Sequence, residues 1–159
     1  MGLKAFTDAV VTLLAGDATF TAEIEALIGA PVPRVIRGNT PWEQIGAALL
    51  PCFVVEQSPG KTSGWGTGDE NGLVIGHRSQ DFTSELDVAL LWFQQNRETA
   101  ADQRSQLPEL FARLMLRNPQ PGDVNGAWLQ EWIPDQGVRH PVQCFVARLQ
   151  ADYPIARDP

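Results

Sequence analysis

The residues best suited to chemistry are few, and their spacing decides most of what they can do. Gly60-Lys61-Thr62 follows the apolar run Cys52-Phe53-Val54-Val55, in the order strand, glycine, lysine, hydroxyl that a phosphate-binding loop uses. That loop requires an earlier glycine where Val55 stands, and the following Ser63-Gly64-Trp65-Gly66-Thr67-Gly68 cannot open the helix whose amides would hold phosphate. The stretch therefore reads as a flexible glycine-rich loop over residues 57–72, with no nucleotide site expected. His77 and His140 are the only histidines, and although Asp81 and Asp135 lie near them, no cysteine or second histidine stands at metal-ligand spacing. No G-x-S-x-G elbow is present, and neither Cys52 nor Cys144 has a neighbour expected to activate a thiolate. Glu23 with Glu25, and Asp102 with Glu109, fall on helical stretches where a solvated face explains them. The sequence predicts no catalytic residue, no metal and no cofactor.

The aromatic residues point to contacts instead. Tryptophan is favoured both in cores and at the centres of protein interfaces. Trp92 sits in the most apolar run of the chain and suits a core. Trp128 and Trp132 are spaced to share one face of a strand, where either reading fits. Trp65 has no apolar neighbour in its glycine-rich loop; it is an exposed ring or, the reading preferred here, an anchor that folds onto another subunit. Lys61, Trp65, Trp128 and Trp132 are thus the candidate protein-interface residues.

The elements that must position them are legible from periodicity. Phe82, Leu86, Val88, Leu90 and Trp92 recur with period two, the mark of a long strand with one buried face. Leu107, Leu110, Phe111 and Leu114 then make a helical stripe. Pro108 is expected to kink this helix or to restart it, with Ser105 as the cap of a second segment. Two amphipathic helices precede the strand, the first ending at Gly16-Asp17 and the second running over residues 18–28. An edge strand is expected at 33–37, followed by a capping-box helix from Thr40-Pro41-Trp42-Glu43 to about residue 49 and a buried strand at 52–56. A strand over 73–76 should pair with the long strand. After the turn cluster Asn118-Pro119-Gln120-Pro121-Gly122-Asp123 come strands at 124–133 and 142–151, and residues 155–159 read as a loose tail. The order predicts an α+β fold: one domain over residues 1–159, a mainly antiparallel sheet with helices packed on one face.

Composition narrows the partners. With 159 residues, 43% of them hydrophobic, the chain can bury a core by itself. Its 14 glycines and 12 prolines imply long loops. A net charge of −7 argues against nucleic-acid binding, which needs a basic patch to displace counterions. Cys52 and Cys144 lie within apolar runs and read as small buried residues of a reducing compartment, with a disulfide as the second reading. No signal peptide or membrane-spanning stretch is seen, and Phe6 stands where a myristoylation motif wants Ser or Thr, so assembly in the cytoplasm is expected.

The element order, with Trp42-Glu43-Gln44-Ile45 leading to Leu50-Pro51-Cys52-Phe53-Val54-Val55, then Ser84-Glu85-Leu86-Asp87-Val88-Ala89-Leu90, a helix from Arg97 to Arg117 and the closing Val142-Gln143-Cys144-Phe145-Val146-Ala147-Arg148-Leu149, resembles the tail-terminator (tail-completion) proteins of long-tailed bacteriophages, the minor tail protein U-like group. The resemblance spans nearly the whole chain and rests on a pattern of elements without a diagnostic motif. It implies a ring, typically a hexamer, that caps the tail tube in the virion, stops its growth and offers the surface that joins the head. Its partners would be copies of itself, the tail-tube protein and a head-completion or connector protein. A head–tail connector or neck protein is the alternative in the same setting; a small ligand-binding or enzymatic α+β domain using the glycine-rich loop is the alternative from another class.

Overall fold

The structure, a computed structural model, describes residues 3–31, 34–37, 44–57, 61–62, 79–122, 124–134 and 139–156. Among the described residues, three α-helices, α1 (Leu3–Gly16), α2 (Ala18–Ile28) and α3 (Arg97–Arg117), accompany six strands: β1 (Arg34–Arg37), β2 (Cys52–Gln57), β3 (Lys61–Thr62), β4 (Ser79–Phe93), β5 (Gly126–Pro134) and β6 (Val142–Ala156). The sheet runs β1-β2-β4-β6-β5, with β3 paired to β4 off this path; only β1 and β2 are parallel. The fold is α+β.

β4 is the spine of the sheet. Its pairing with β6 is unbroken from Ser79 opposite Ala156 to Phe93 opposite Val142. Period two sends Leu86, Val88, Leu90 and Trp92 to the face carrying the helices, where they meet Phe53, Phe145 and Leu149 of the neighbouring strands. α3 lays Leu107, Leu110, Phe111, Leu114 and Met115 on that face, and α1 and α2 add Phe6, Val10, Leu14, Phe20 and Ile24. At the centre, Phe111 stands edge-on to Phe20 and Phe53, with ring centroids 5.3 and 6.2 Å away, and stacks on Phe145 at 5.7 Å. A polar relay runs through this core: Trp92 Nε1 donates to Gln103 Oε1 at 2.8 Å, and Gln103 Nε2 donates to the Leu27 carbonyl at 3.0 Å. Both buried groups are thereby satisfied, which fixes α2, α3 and β4 against one another.

Several expectations are corrected. α3 is a single helix through Pro108, and Ser105 caps nothing: its Oγ donates to the Asp102 carbonyl. Buried apolar residues on both sides of the proline anchor in the same core, and at about 1.5–3 kcal/mol each they outweigh the roughly 3 kcal/mol that an interior proline costs. Of the capping-box helix expected from Thr40 to about residue 49, residues 40–43 lie outside the described residues; beyond them Gln44 is in 3-10 conformation and a separate 3-10 turn, Ala47–Leu49, is bounded by the extended Gly46 and Leu50, so no continuous helix reaches residue 49. The expected partner of β4 at 73–76 also lies outside the described residues; among those described, β4 is flanked by β2 and β6, and β3 also pairs with it. Within the loop assigned to 57–72, Gln57 closes β2, and Lys61 and Thr62 pair with Thr83 and Phe82. In the expected loose tail, Ile155 and Ala156 pair with Gln80 and Ser79. Cys52 and Cys144 are buried and form no disulfide; both flank Leu91, one on each neighbouring strand. Two strand spacings, about 9.5 Å, separate them, beyond disulfide reach.

Candidate protein interface

The helix-free face of the sheet divides into two halves. Near the β1 end, Cys52, Val54, Ala89, Leu91 and Cys144 are buried beneath Ile45 and Leu50, which lead into β2. Toward β5 the same face turns polar. Glu131 of β5, Arg148 of β6 and Asp87 of β4 stand opposite one another in one row across three strands. Arg148 grips Asp87 with two hydrogen bonds, Nε to Oδ1 at 2.8 Å and Nη2 to Oδ2 at 3.0 Å, while its Nη1 bonds Glu131 Oε1. The Asp87 bond is the main reason its guanidinium is held still more firmly protonated than usual, with Glu131 and Glu85 adding attraction.

A bulge places the aromatic residues of β5. The register passes from Leu129 opposite Leu149 to Glu131 opposite Arg148, leaving Gln130 as the extra residue. Trp128 lies opposite Gln150, on the helix-free face, whereas Trp132 lies opposite Ala147, whose side chain is in the main core on the helix face. The expectation that Trp128 and Trp132 share one face is therefore corrected: the extra residue reverses the alternation between them. Both rings are partly exposed, Trp128 at 39% and Trp132 at 52%, and the neighbouring Ile133 is 45% exposed. The outer strand thus exposes three large apolar residues on two faces, Trp128 and Ile133 on the helix-free face and Trp132 on the other. Of the other two candidates, Lys61 is placed only through its backbone pairing with Thr83, and Trp65 lies outside the described residues. Residue type and spacing do not single out Glu131 or Arg148, since a charged row across strands appears only once the register is known.

The remaining chemistry-bearing residues are engaged structurally. His140 Nδ1 lies 3.2 Å from Gln143 Nε2, and His77 is outside the described residues. Burial pushes the Cys52 thiol up, away from a reactive thiolate. Among the described residues no three His, Cys, Asp or Glu side chains gather in a manner that could hold a metal ion. An open groove of about 520 Å³ lies between α2 and α3, where Glu23 faces Arg113 at 3.4 Å. No helix among the described residues is long and apolar enough to cross a membrane.

No protein-family model matches the chain, and a comparison with curated proteins finds no match. Among solved structures, one similar chain belongs to a structure described as the virion of a native gene transfer agent (GTA) particle. The two share 13% sequence identity and superpose with a TM-score of 0.50, over 92% of each chain. At that identity the likeness establishes a common fold over nearly the whole length.

Proposed function

We propose that the protein is a structural component of a phage-like particle and, more specifically, a tail terminator: a ring, with six subunits as the expected number, that caps the tail tube and presents the surface to which the head joins. The observation that carries this reading is the fold shared over 92% of both chains with a virion component. Among the described residues the strands Cys52–Gln57 and Ser79–Phe93, the helix Arg97–Arg117 and the strand Val142–Ala156 follow one another as in the sequence pattern that prompted the resemblance, which supports the reading. On this reading the whole chain works as one domain, without catalysis or cofactor. It assembles in the bacterial cytoplasm and ends in the virion tail, with the tube protein and a head-completion protein as partners. Lys61, Trp65, Trp128 and Trp132 serve as contacts.

Mass in solution tests the ring. The 17.4 kDa chain, studied by light scattering at rising concentration, is expected to reach a closed species of roughly 100 kDa. Added in small amounts to growing tail tubes, it should stop their elongation. A chain that stays monomeric at all concentrations, and leaves tube growth unchanged, would refute the proposal.

A further inference from the structure

We propose that the two ends of the sheet are complementary, the outer edge of β5 receiving the outer edge of β1 from a second copy in a head-to-tail seam. This rests on the ring reading above and specifies which surfaces make the ring. Among the described residues no strand lies beyond β1 or beyond β5, so within that set each presents an outer edge that no other strand pairs. Such edges are normally blunted or covered, and β5 adds the exposed Trp128, Trp132 and Ile133 to its own.

Charge decides between the possible occupants. β1, Arg34-Val35-Ile36-Arg37, carries two arginines and no acid, whereas β5 carries Glu131 and no base. Pairing β1 with β1, or β5 with β5, would bring like charges together. Pairing β1 with β5 brings opposite ones. Arg37 already meets Asp8, but Arg34 is exposed and has no ion pair among the described residues.

Direction and face agree with this pairing. β5 is antiparallel to β6, β6 to β4, and β4 to β2, while β1 is parallel to β2; β1 therefore runs opposite to β5 within the sheet. A second copy set edge to edge with the same face outward brings β1 antiparallel to β5, a pairing in which opposed residues share a face. Arg34, opposite Cys52, and Glu131, opposite Arg148, both belong to the helix-free face. Setting Arg34 against Glu131 extends the existing row, so that arginine, glutamate, arginine and aspartate alternate across the seam. The same register sets Ile36 beside Trp128, the next β5 residue on that face. Two different patches on opposite ends of one sheet are what a closed ring requires.

The test is charge reversal in the full-length chain, with mass followed by light scattering and folding by melting curves. Arg34→Glu and Glu131→Arg are each expected to raise the concentration needed for assembly at least about ten-fold, because like charges then face each other at every seam. The double variant, and an equal mixture of the two single variants, should both assemble as the unaltered chain does. Arg34 is exposed, so its reversal tests the seam even if Glu131→Arg disturbs the fold through Arg148. An unaltered chain that assembles while neither reversal affects it would overturn the seam and leave the ring reading intact. Reversals that the double variant and the mixture fail to rescue would also overturn it. Failure of the unaltered chain to assemble at all would remove both.

Discussion

Gly29 and Gly122 hold almost the same left-handed backbone, φ +68° and +70°, and differ in what surrounds them. Gly29 closes α2, its amide bonding the Glu25 carbonyl, and a side chain there would meet nothing within 4 Å. Gly29→Ala is therefore expected to cost about 1 kcal/mol, the conformational penalty alone. A Cβ on Gly122 would fall 2.6 Å from the Ala5 carbonyl oxygen of α1, so Gly122→Ala must also move a helix backbone. Urea unfolding should show it clearly the more damaging of the two, by about 2–3 kcal/mol or more. Asp17 is a second point of leverage. Its carboxylate caps α2 through the Phe20 amide at 2.9 Å and receives Arg117 and Asn118 from the end of α3 at 3.1 and 3.2 Å. Burial opposes its ionisation, but the Phe20 amide, Arg117 and Asn118 together outweigh burial and hold its pKa below the ordinary 3.8. A depressed carboxyl contributes stability in full above the unfolded value and loses it as pH falls through the folded one. The stability gap between the protein and its Asp17→Asn variant should thus be constant above about pH 5 and shrink below 3.8. A gap independent of pH down to 2 would show that the charge contributes nothing.

Among the elements, α3 contains the clearest local conflict. Pro108 gives the helix no amide for the Arg104 carbonyl one turn earlier, yet the helix continues to Arg117. Pro108→Ala restores that bond while making the unfolded chain more flexible, which offsets part of the gain. A net stabilisation of about 1–2 kcal/mol is expected, read as a higher urea midpoint at unchanged slope. The conflict also shows what a sequence conveys. The stripe Leu107, Leu110, Phe111 and Leu114 was legible from spacing and is buried as expected, as are Leu86, Val88, Leu90 and Trp92 of β4. The outcome at Pro108 was not legible, because it depends on core contacts supplied by β4, β6 and α2, far away in the chain. The β5 bulge is of the same kind: the spacing of Trp128 and Trp132 predicts one face, and only the partner strand β6 reveals the extra residue between them. Strand order was equally hidden. Phe93 and Val142 pair across the whole of α3 and β5, and period two names a strand's faces without naming its neighbours. Trp128 and Trp132 were identifiable as candidates from residue type alone, whereas Glu131, Arg148 and Arg34 acquire meaning only from register.

For the molecule as a whole, salt separates an assembly built on edge contacts from one built on counterion release. Each chain carries a net charge of −7, so subunits brought into a ring repel one another over distances that added salt screens. The seam proposed between Arg34 and Glu131 is a surface ion pair, and such pairs contribute about 0–1 kcal/mol, less in salt. The two effects oppose each other. Between very low ionic strength and 0.15 M the Debye length falls to about 8 Å, which removes most subunit repulsion while weakening a short-range contact only slightly. Assembly should therefore become easier as salt is raised over this range, with a lower concentration midpoint in light scattering. Acidification toward the pI near 4.7 should act in the same direction by reducing the net charge. A nucleic-acid binder behaves oppositely, losing affinity steeply with salt because phosphate contacts release counterions. Oligomers that dissolve as salt rises from low values to 0.15 M would mean that ionic attraction dominates subunit contact, and the apolar contact of Ile36 with Trp128 would then not be what holds the seam.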